Sequence, residues 1–125
     1  MAVAFSIESS VSTAHVTVRV VGDWTPESTD QILKCVMTKW LEHREKPLLV
    51  DVRETSTEPS VTDDWFKAEA LVNAGFRRIP RIAVVDAISR RGANDFFATA
   101  AVNRGVRLRC FYGDLKDAED WLVGR

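Results

Sequence analysis

The 125-residue chain has no apolar run approaching the ~20 residues that cross a bilayer, so no membrane-spanning segment is expected. Its first residues, Met-Ala-Val-Ala-Phe-Ser-Ile-Glu, combine neither a basic start nor a continuous apolar stretch, and no export signal is expected. Cysteine is scarce: Cys35 and Cys110 stand outside any CxxC or metal-ligand spacing. Both fall within apolar patterns, which reads as inert buried thiols in a reduced, cytoplasmic protein. His15 and His43 are the only histidines, and neither has a cysteine partner nearby, which argues against a zinc site. With 6 glycines, the chain has neither GxxxxGK[ST] nor GxGxxG to cradle a nucleotide phosphate. A Gly-x-Ser-x-Gly elbow and an HExxH motif are also missing, so neither an enzyme nor a cofactor is expected.

What remains is the material of one globular domain. The chain is 46% apolar and 28% charged, with 4 tryptophans and 6 phenylalanines, enough for one core and too little for a second. Charge is segregated along it. Residues 1–75 carry 7 basic and 12 acidic side chains, whereas residues 76–112 carry 8 arginines, no lysine and 2 aspartates. The net charge of −1, a pI near 6.1 and the lack of a recognition motif argue against nucleic-acid binding.

Periodicity supplies the elements. Val3, Phe5 and Ile7 predict a short strand, with a turn over residues 9–13. Val16, Val18 and Val20 predict a second strand, antiparallel to the first. Thr25-Pro26-Glu27 opens a helix reaching about Arg44, with Ile32, Val36 and Trp40 beside Leu33, Met37 and Leu41 as its apolar stripe. Pro47 stops it, and Leu48–Arg53 reads as a buried parallel strand. After a polar loop over 54–60, Ser60 or Thr62 caps a helix whose apolar set is Trp65, Phe66, Ala68, Leu71 and Val72, closed by Gly75. Ile82–Val85 is the next buried strand, and a helix follows through Phe96, Phe97, Ala100 and Ala101. Val106–Tyr112 is a strand with one wetter face, and Leu115–Leu122 a short last helix. The order β-β-α-β-α-β-α-β-α predicts a single α/β domain over residues 1–125, its mixed, mostly parallel sheet having about five strands and about four helices.

Three groups of residues invite a functional reading. Arg90, Arg91 and Asn94 lie in the 88–94 loop between a buried strand and a helix, at the edge where open parallel sheets bind ligands, and would suit a small anion. A solvated loop is the plainer reading, in which Arg77, Arg78 and Arg81 pair with the surplus acids of residues 1–75. His15, Thr17 and Arg19 share one strand face, as do Arg107, Arg109 and Phe111, while Asp51 and Arg53 have the same phase. If all crossovers lie on one side, Arg19, Arg107 and Arg109 mark either an open face for a protein partner or a second copy of the chain, or a merely wet face with loose ion pairs. Asp51 and Asp86 end buried strands, where they either act chemically or accept local backbone hydrogen bonds, the latter being favoured.

Taken together, Val16–Gly22 before a long helix, the Leu-Val-Asp strand within Leu48–Arg53, Arg81–Val85 before a helix with paired Phe, and Arg107–Phe111 before Asp-Ala-Glu-Asp-Trp-Leu resemble the STAS and SpoIIAA-like superfamily. Its members include bacterial anti-sigma factor antagonists and cytoplasmic domains of sulfate transporters. The likeness runs from about residue 14 to 123 and implies the STAS scaffold and a non-enzymatic regulatory or protein-interaction role. The family's phosphorylation site follows the third strand in an Asp-Ser-Ser-Gly sequence. Here that stretch is Glu54-Thr55-Ser56-Thr57-Glu58-Pro59-Ser60-Val61, without that order; Ser56, Thr57 and Ser60 are phosphate acceptors by position only, and turn and cap residues on the plainer, favoured reading. The chain is nearest in kind to uncharacterised bacterial SpoIIAA-like proteins. A small anionic-ligand or lipid-binding domain using the 88–94 loop is the alternative.

Overall fold

The computed structural model describes residues 5–56 and 61–124. Val3, Thr57 and Ser60 lie outside the described residues, as do the side chains of Thr62, Asp63 and Asp64. β1 (Phe5–Val11) and β2 (Val16–Asp23) form an antiparallel hairpin. Its turn is held by Ser12, whose Oγ accepts the backbone N–H groups of Ala14 and His15, both at 3.1 Å. β1 runs on to Val11, past the turn expected at residues 9–13. Ser9, Ser10 and Val11 are exposed but pair with Val18, Thr17 and Val16, so the backbone ladder alone extends the strand.

The helix start at Thr25 is built reciprocally. Thr25 Oγ1 accepts the Ser28 N–H at 3.2 Å, and Ser28 Oγ accepts the Thr25 N–H at 2.9 Å. One 3₁₀ turn (Pro26–Ser28) leads into α1 (Thr29–Leu41), which buries Ile32, Leu33, Val36, Met37 and Trp40. α1 stops short of Arg44. The chain turns through Glu45, at φ 78°, and Trp40 Nε1–H donates to the Lys46 carbonyl at 2.8 Å, fixing the exit toward Pro47.

The remaining elements are β3 (Leu48–Ser56), α2 (Val61–Asn73), β4 (Ile82–Asp86), α3 (Arg91–Asn103), β5 (Leu108–Tyr112) and α4 (Lys116–Leu122). Five strands lie in chain order, β1-β2-β3-β4-β5, parallel from β2 onward. Crossovers of one hand that add strands in one direction put α1, α2 and α3 on the same face. There Val16, Val18, Val20, Leu48, Val50, Val52, Ile82, Val84 and Leu108 meet Val36, Leu71, Phe97 and Ala101 in the main core. Each such aliphatic side chain contributes ~1.5–3 kcal/mol of burial.

α4 packs on the reverse face. Ala118 and Leu122 cover Leu49, Ala83 and Val85, with Phe111, Leu115 and Trp121 at the margin. Three expectations are corrected by this packing. The reverse face is not open over β3 to β5. Trp65, Phe66 and Phe96 point to solvent, while Ala68, Leu71 and Phe97 carry their helices' buried faces. Cys35 and Cys110 are half-buried, not fully enclosed.

Candidate functional site

The carboxyl ends of β3 and β4 meet in a polar cluster. Asp86 closes β4 as a buried carboxylate, and the 3₁₀ turn Ile88–Arg90 followed by α3 swings Arg90 and Asn94 back over it. Asp86 Oδ1 accepts the Ala87 N–H and Arg90 Nη1, both at 2.7 Å, and Oδ2 accepts Asn94 Nδ2 at 2.8 Å. Arg90 Nη1 also donates to Thr55 Oγ1 at 2.9 Å and to the Val52 carbonyl at 3.1 Å, and Nη2 donates to the Thr55 carbonyl. Thr55 Oγ1 in turn donates to the Val52 carbonyl at 2.7 Å. One guanidinium therefore ties the end of β3, beyond its pairing with β4, to Asp86 and the start of α3.

Arg90 and Asn94 thus converge, on a carboxylate of the chain itself. Arg91 is not brought to them: it is exposed, 4.0 Å from Asp95 and 5.8 Å from the Tyr112 ring centre. Ser56 is exposed at the end of β3, its carbonyl accepting the Trp24 N–H at 2.9 Å. Arg19 sits on β2 between Glu8, at 3.3 Å, and Glu54. Arg107 and Arg109 are exposed on the far side of the sheet, Arg109 lying over Phe111 at 5.3 Å. Three strand spacings, about 14 Å, separate β2 from β5, and α4 lies across the strands between them, so these arginines do not form one patch.

Among the described residues, the ion pair of the basic block with an acid of residues 1–75 comes from Arg104, on Glu69, while Arg77 and Arg81, two of the three named for that role, bond carbonyls. Arg77 Nε donates to the Arg104 carbonyl at 2.6 Å, and Arg81 Nη1 to the Trp121 carbonyl at 2.5 Å. Arg104 reaches both the Ala100 carbonyl at 2.9 Å and Glu69 at 2.6 Å. These are cations at the carbonyl ends of α3 and α4, where the helix dipole favours them. Asp51 accepts from Arg53 through the backbone N–H at 3.1 Å, Nε at 3.0 Å and Nη2 at 2.8 Å. Burial alone would raise its pKa, but the hydrogen bonds and charge of Arg53 outweigh that and hold the carboxyl below its ordinary range. Tyr112 differs: its hydroxyl is buried without a partner among the described residues, and burial pushes the phenol well above its usual pKa.

Two solved structures share the fold. An anti-sigma factor antagonist from Mycobacterium paratuberculosis matches with a TM-score of 0.61 at 14% identity, over 94% of this chain and 93% of that one. An uncharacterised DUF3478-family protein with a SpoIIAA-like fold, from Shewanella loihica PV-4, matches with a TM-score of 0.56 at 21% identity, over 95% and 94%. The fold is SpoIIAA-like. No protein-family model matches the chain, and no curated protein does.

Two features of this SpoIIAA-like domain escape sequence reasoning. The first is a cavity of about 80 Å³ beneath the Asp86–Arg90 cluster, walled by Val36, Val50, Val84, Phe97 and Leu108 and rimmed by Trp24, Lys67, Thr55 and Asn94. A void of that size costs about 2 kcal/mol at ~24 cal/mol per Å³. The second is the exposed pair Trp65 and Phe66 on α2, their rings edge-to-face at 5.5 Å. Helical spacing could have flagged Phe66, which lies away from Ala68 and Leu71, but not Trp65, which shares the i, i+3 row with Ala68. Among the described residues no cluster of His, Cys, Asp or Glu could hold a metal ion, and no helix is long and apolar enough to cross a membrane.

Proposed function

We propose that this SpoIIAA-like domain is a non-enzymatic regulatory module that works by contact with another protein, which docks on the first turns of α2. The observation that carries the reading is the exposure of Trp65 and Phe66, 44% and 59%. Two consecutive aromatics held in water forfeit burial energy, and aromatic residues of this kind dominate interface hot spots. Trp65 is pre-ordered: the Arg104 guanidinium stacks 4.9 Å from its ring and is itself anchored to Glu69. The pair directly follows the 54–61 stretch, where the resemblance places the family's phosphorylation switch. The anti-sigma factor antagonist among the structural neighbours supports a protein as the partner.

Phosphate on Ser56 or Thr57 would add nearly two negative charges within ten residues of this pair along the chain, and we propose it as the means of control. A small anion on Arg90, Arg91 and Asn94 is the weaker reading, because Arg90 and Asn94 already hold Asp86. A homodimer through the free edge of β5 would bring the arginines at 107 and 109 of two copies together, so a different protein is preferred.

Site-specific photo-crosslinking in the cell of origin tests this. A benzophenone amino acid in place of Phe66 should yield one discrete heterologous adduct, lost when Trp65 is alanine and not formed from position 102 on α3. Absence of a discrete adduct from Phe66, or the same adduct from both positions, refutes the docking surface.

A further inference from the structure

The outer edge of β5 has the character of a second docking surface, which goes beyond the contact on α2. β5 closes the row of strands and, among the described residues, pairs with β4 alone. The Arg107 carbonyl accepts the Ile82 N–H at 2.8 Å, which sets the phase of the ladder. By alternation Arg109 and Phe111 also turn their backbone groups to β4, and Leu108 and Tyr112 turn theirs to the outer edge. The Leu108 N–H folds back on the Val106 carbonyl at 3.0 Å, so the accepting stretch begins at the Leu108 carbonyl. An edge of this kind is a template for a further strand.

Beside the edge runs a groove of about 600 Å³, lined by the whole of β5 and, from the α3 side, by Ile88, Arg91, Asp95, Ala98 and Thr99. It lies where the next strand of the sheet would fall, ~4.8 Å beyond β5, and five strand residues give it a length of about 17 Å. A groove along a backbone edge fits an extended segment, whereas a small molecule is held where walls enclose it. Ile88, 63% exposed, offers such a segment an apolar contact.

Charge selects the segment. The groove holds Arg91 and Arg109 against Asp95, and Arg107 shares the strand face of Arg109. Arg107 and Arg109 form no ion pair among the described residues. A second copy of the chain does not answer this charge. Its β5 repeats the arginines, and the one acid of its β1, Glu8, is held by Arg19 at 3.3 Å.

We propose that β5 accepts an acidic extended segment of another protein as a sixth strand. The side chains of that segment alternate between apolar groups against Ile88 and Ala98 and carboxylates that meet Arg107 and Arg109. Backbone hydrogen bonds hold the segment, and the arginines choose its sign.

The probe is the peptide acetyl-Glu-Val-Glu-Val-Glu-Val-Glu-amide, beside a twin with lysine for each glutamate and a third form N-methylated at every internal residue. Titrated into the isotope-labelled full chain, the acidic peptide should give saturable amide shifts centred on residues 108–112 and slow hydrogen exchange at Tyr112. The lysine twin should give none. The N-methylated form should bind at least about tenfold more weakly, having lost its ladder hydrogen bonds. Arg107→Glu combined with Arg109→Glu, both at exposed positions, should abolish binding of the acidic peptide and admit the lysine twin. The proposal is overturned if the acidic peptide gives no saturable shift on β5, if either other peptide matches it, or if the double variant binds it as the parent does. Trp65 and Phe66 are untouched throughout, so crosslinking from α2 fails or succeeds independently.

Discussion

Replacing Arg90 with methionine isolates the clamp at the strand ends. The guanidinium is 19% exposed and donates to Asp86, to both oxygens of Thr55 and to the Val52 carbonyl. Without it, the Asp86 carboxylate, only 4% exposed, keeps the Ala87 N–H and Asn94 but loses its counter-charge. Removing one partner of a buried ion pair costs about 3–5 kcal/mol. A domain of this length has a total stability on the order of 6–19 kcal/mol, so the loss is a large share of it. With a urea dependence of ~1–3 kcal/mol per molar, the unfolding midpoint should fall by at least about 1 M. Urea titration at pH 7 followed by far-UV circular dichroism reads this without relying on Trp24, which lies beside the site. Removing the second charge as well, by combining Arg90→Met with Asp86→Val, should recover at least about 1 kcal/mol, because no uncompensated buried charge remains. A loss below about 1 kcal/mol for Arg90→Met, or a double variant no more stable than the single ones, refutes the account of Arg90 as an interior clamp.

Asp51 titrates below its unfolded value of ~3.9, so its stabilisation is complete above about pH 5 and is lost as pH falls through the folded value. Asp51→Asn should accordingly destabilise at pH 7, with a deficit that shrinks below pH 4; urea midpoints measured across pH check the sign. Trp40→Phe removes the bond to the Lys46 carbonyl and part of a buried ring, and calorimetry should show a loss of about 2 kcal/mol. Gly75 has φ 93° and Gly92 has no atom within 4 Å of a would-be Cβ. Gly75→Ala should therefore cost about 1 kcal/mol or more, while Gly92→Ala in the first turn of α3 should stabilise by about 0.4–1 kcal/mol. Equal Tm shifts for the two would overturn that contrast.

Most of the scaffold was legible because its signals are local. Alternating valines in β2, the Thr25-Pro26 start of α1 and the apolar run from Leu48 each act within a few residues, and all three elements begin where expected, although α1 ends at Leu41 and β3 runs on to Ser56. What escaped depends on partners distant in sequence. β1 continues through Ser9 and Ser10 because β2 lies beside them. The side on which α4 packs is decided by a sheet face whose residues, Leu49, Ala83 and Val85, come from two other strands. The candidate site was half legible. The position of Arg90 and Asn94 after a buried strand marked the right edge of the sheet, but their inward turn required Asp86 and Thr55 to be waiting 4 and 35 residues away. Trp65 and Phe66 belong to the apolar set of the second helix in sequence, yet Ala68 and Leu71 carry its buried face and the two aromatics stay exposed.

The sheet's neighbour order, identical to the chain order, has a consequence for how the protein is made. Each strand finds its partner among the residues synthesised just before it, so no strand waits for a later one to be inserted. Loop closure for each pairing is short and its entropy cost grows only slowly with the intervening helix. A chain emerging from the ribosome can thus zip the sheet from β1 outward, one strand and one helix at a time. Until β5 arrives, the growing edge is β4, whose Ile82–Asp86 run is buried throughout in the finished domain. The arrival of β5 and α4 buries that edge and caps assembly with an arginine-bearing strand that resists pairing with its own copies.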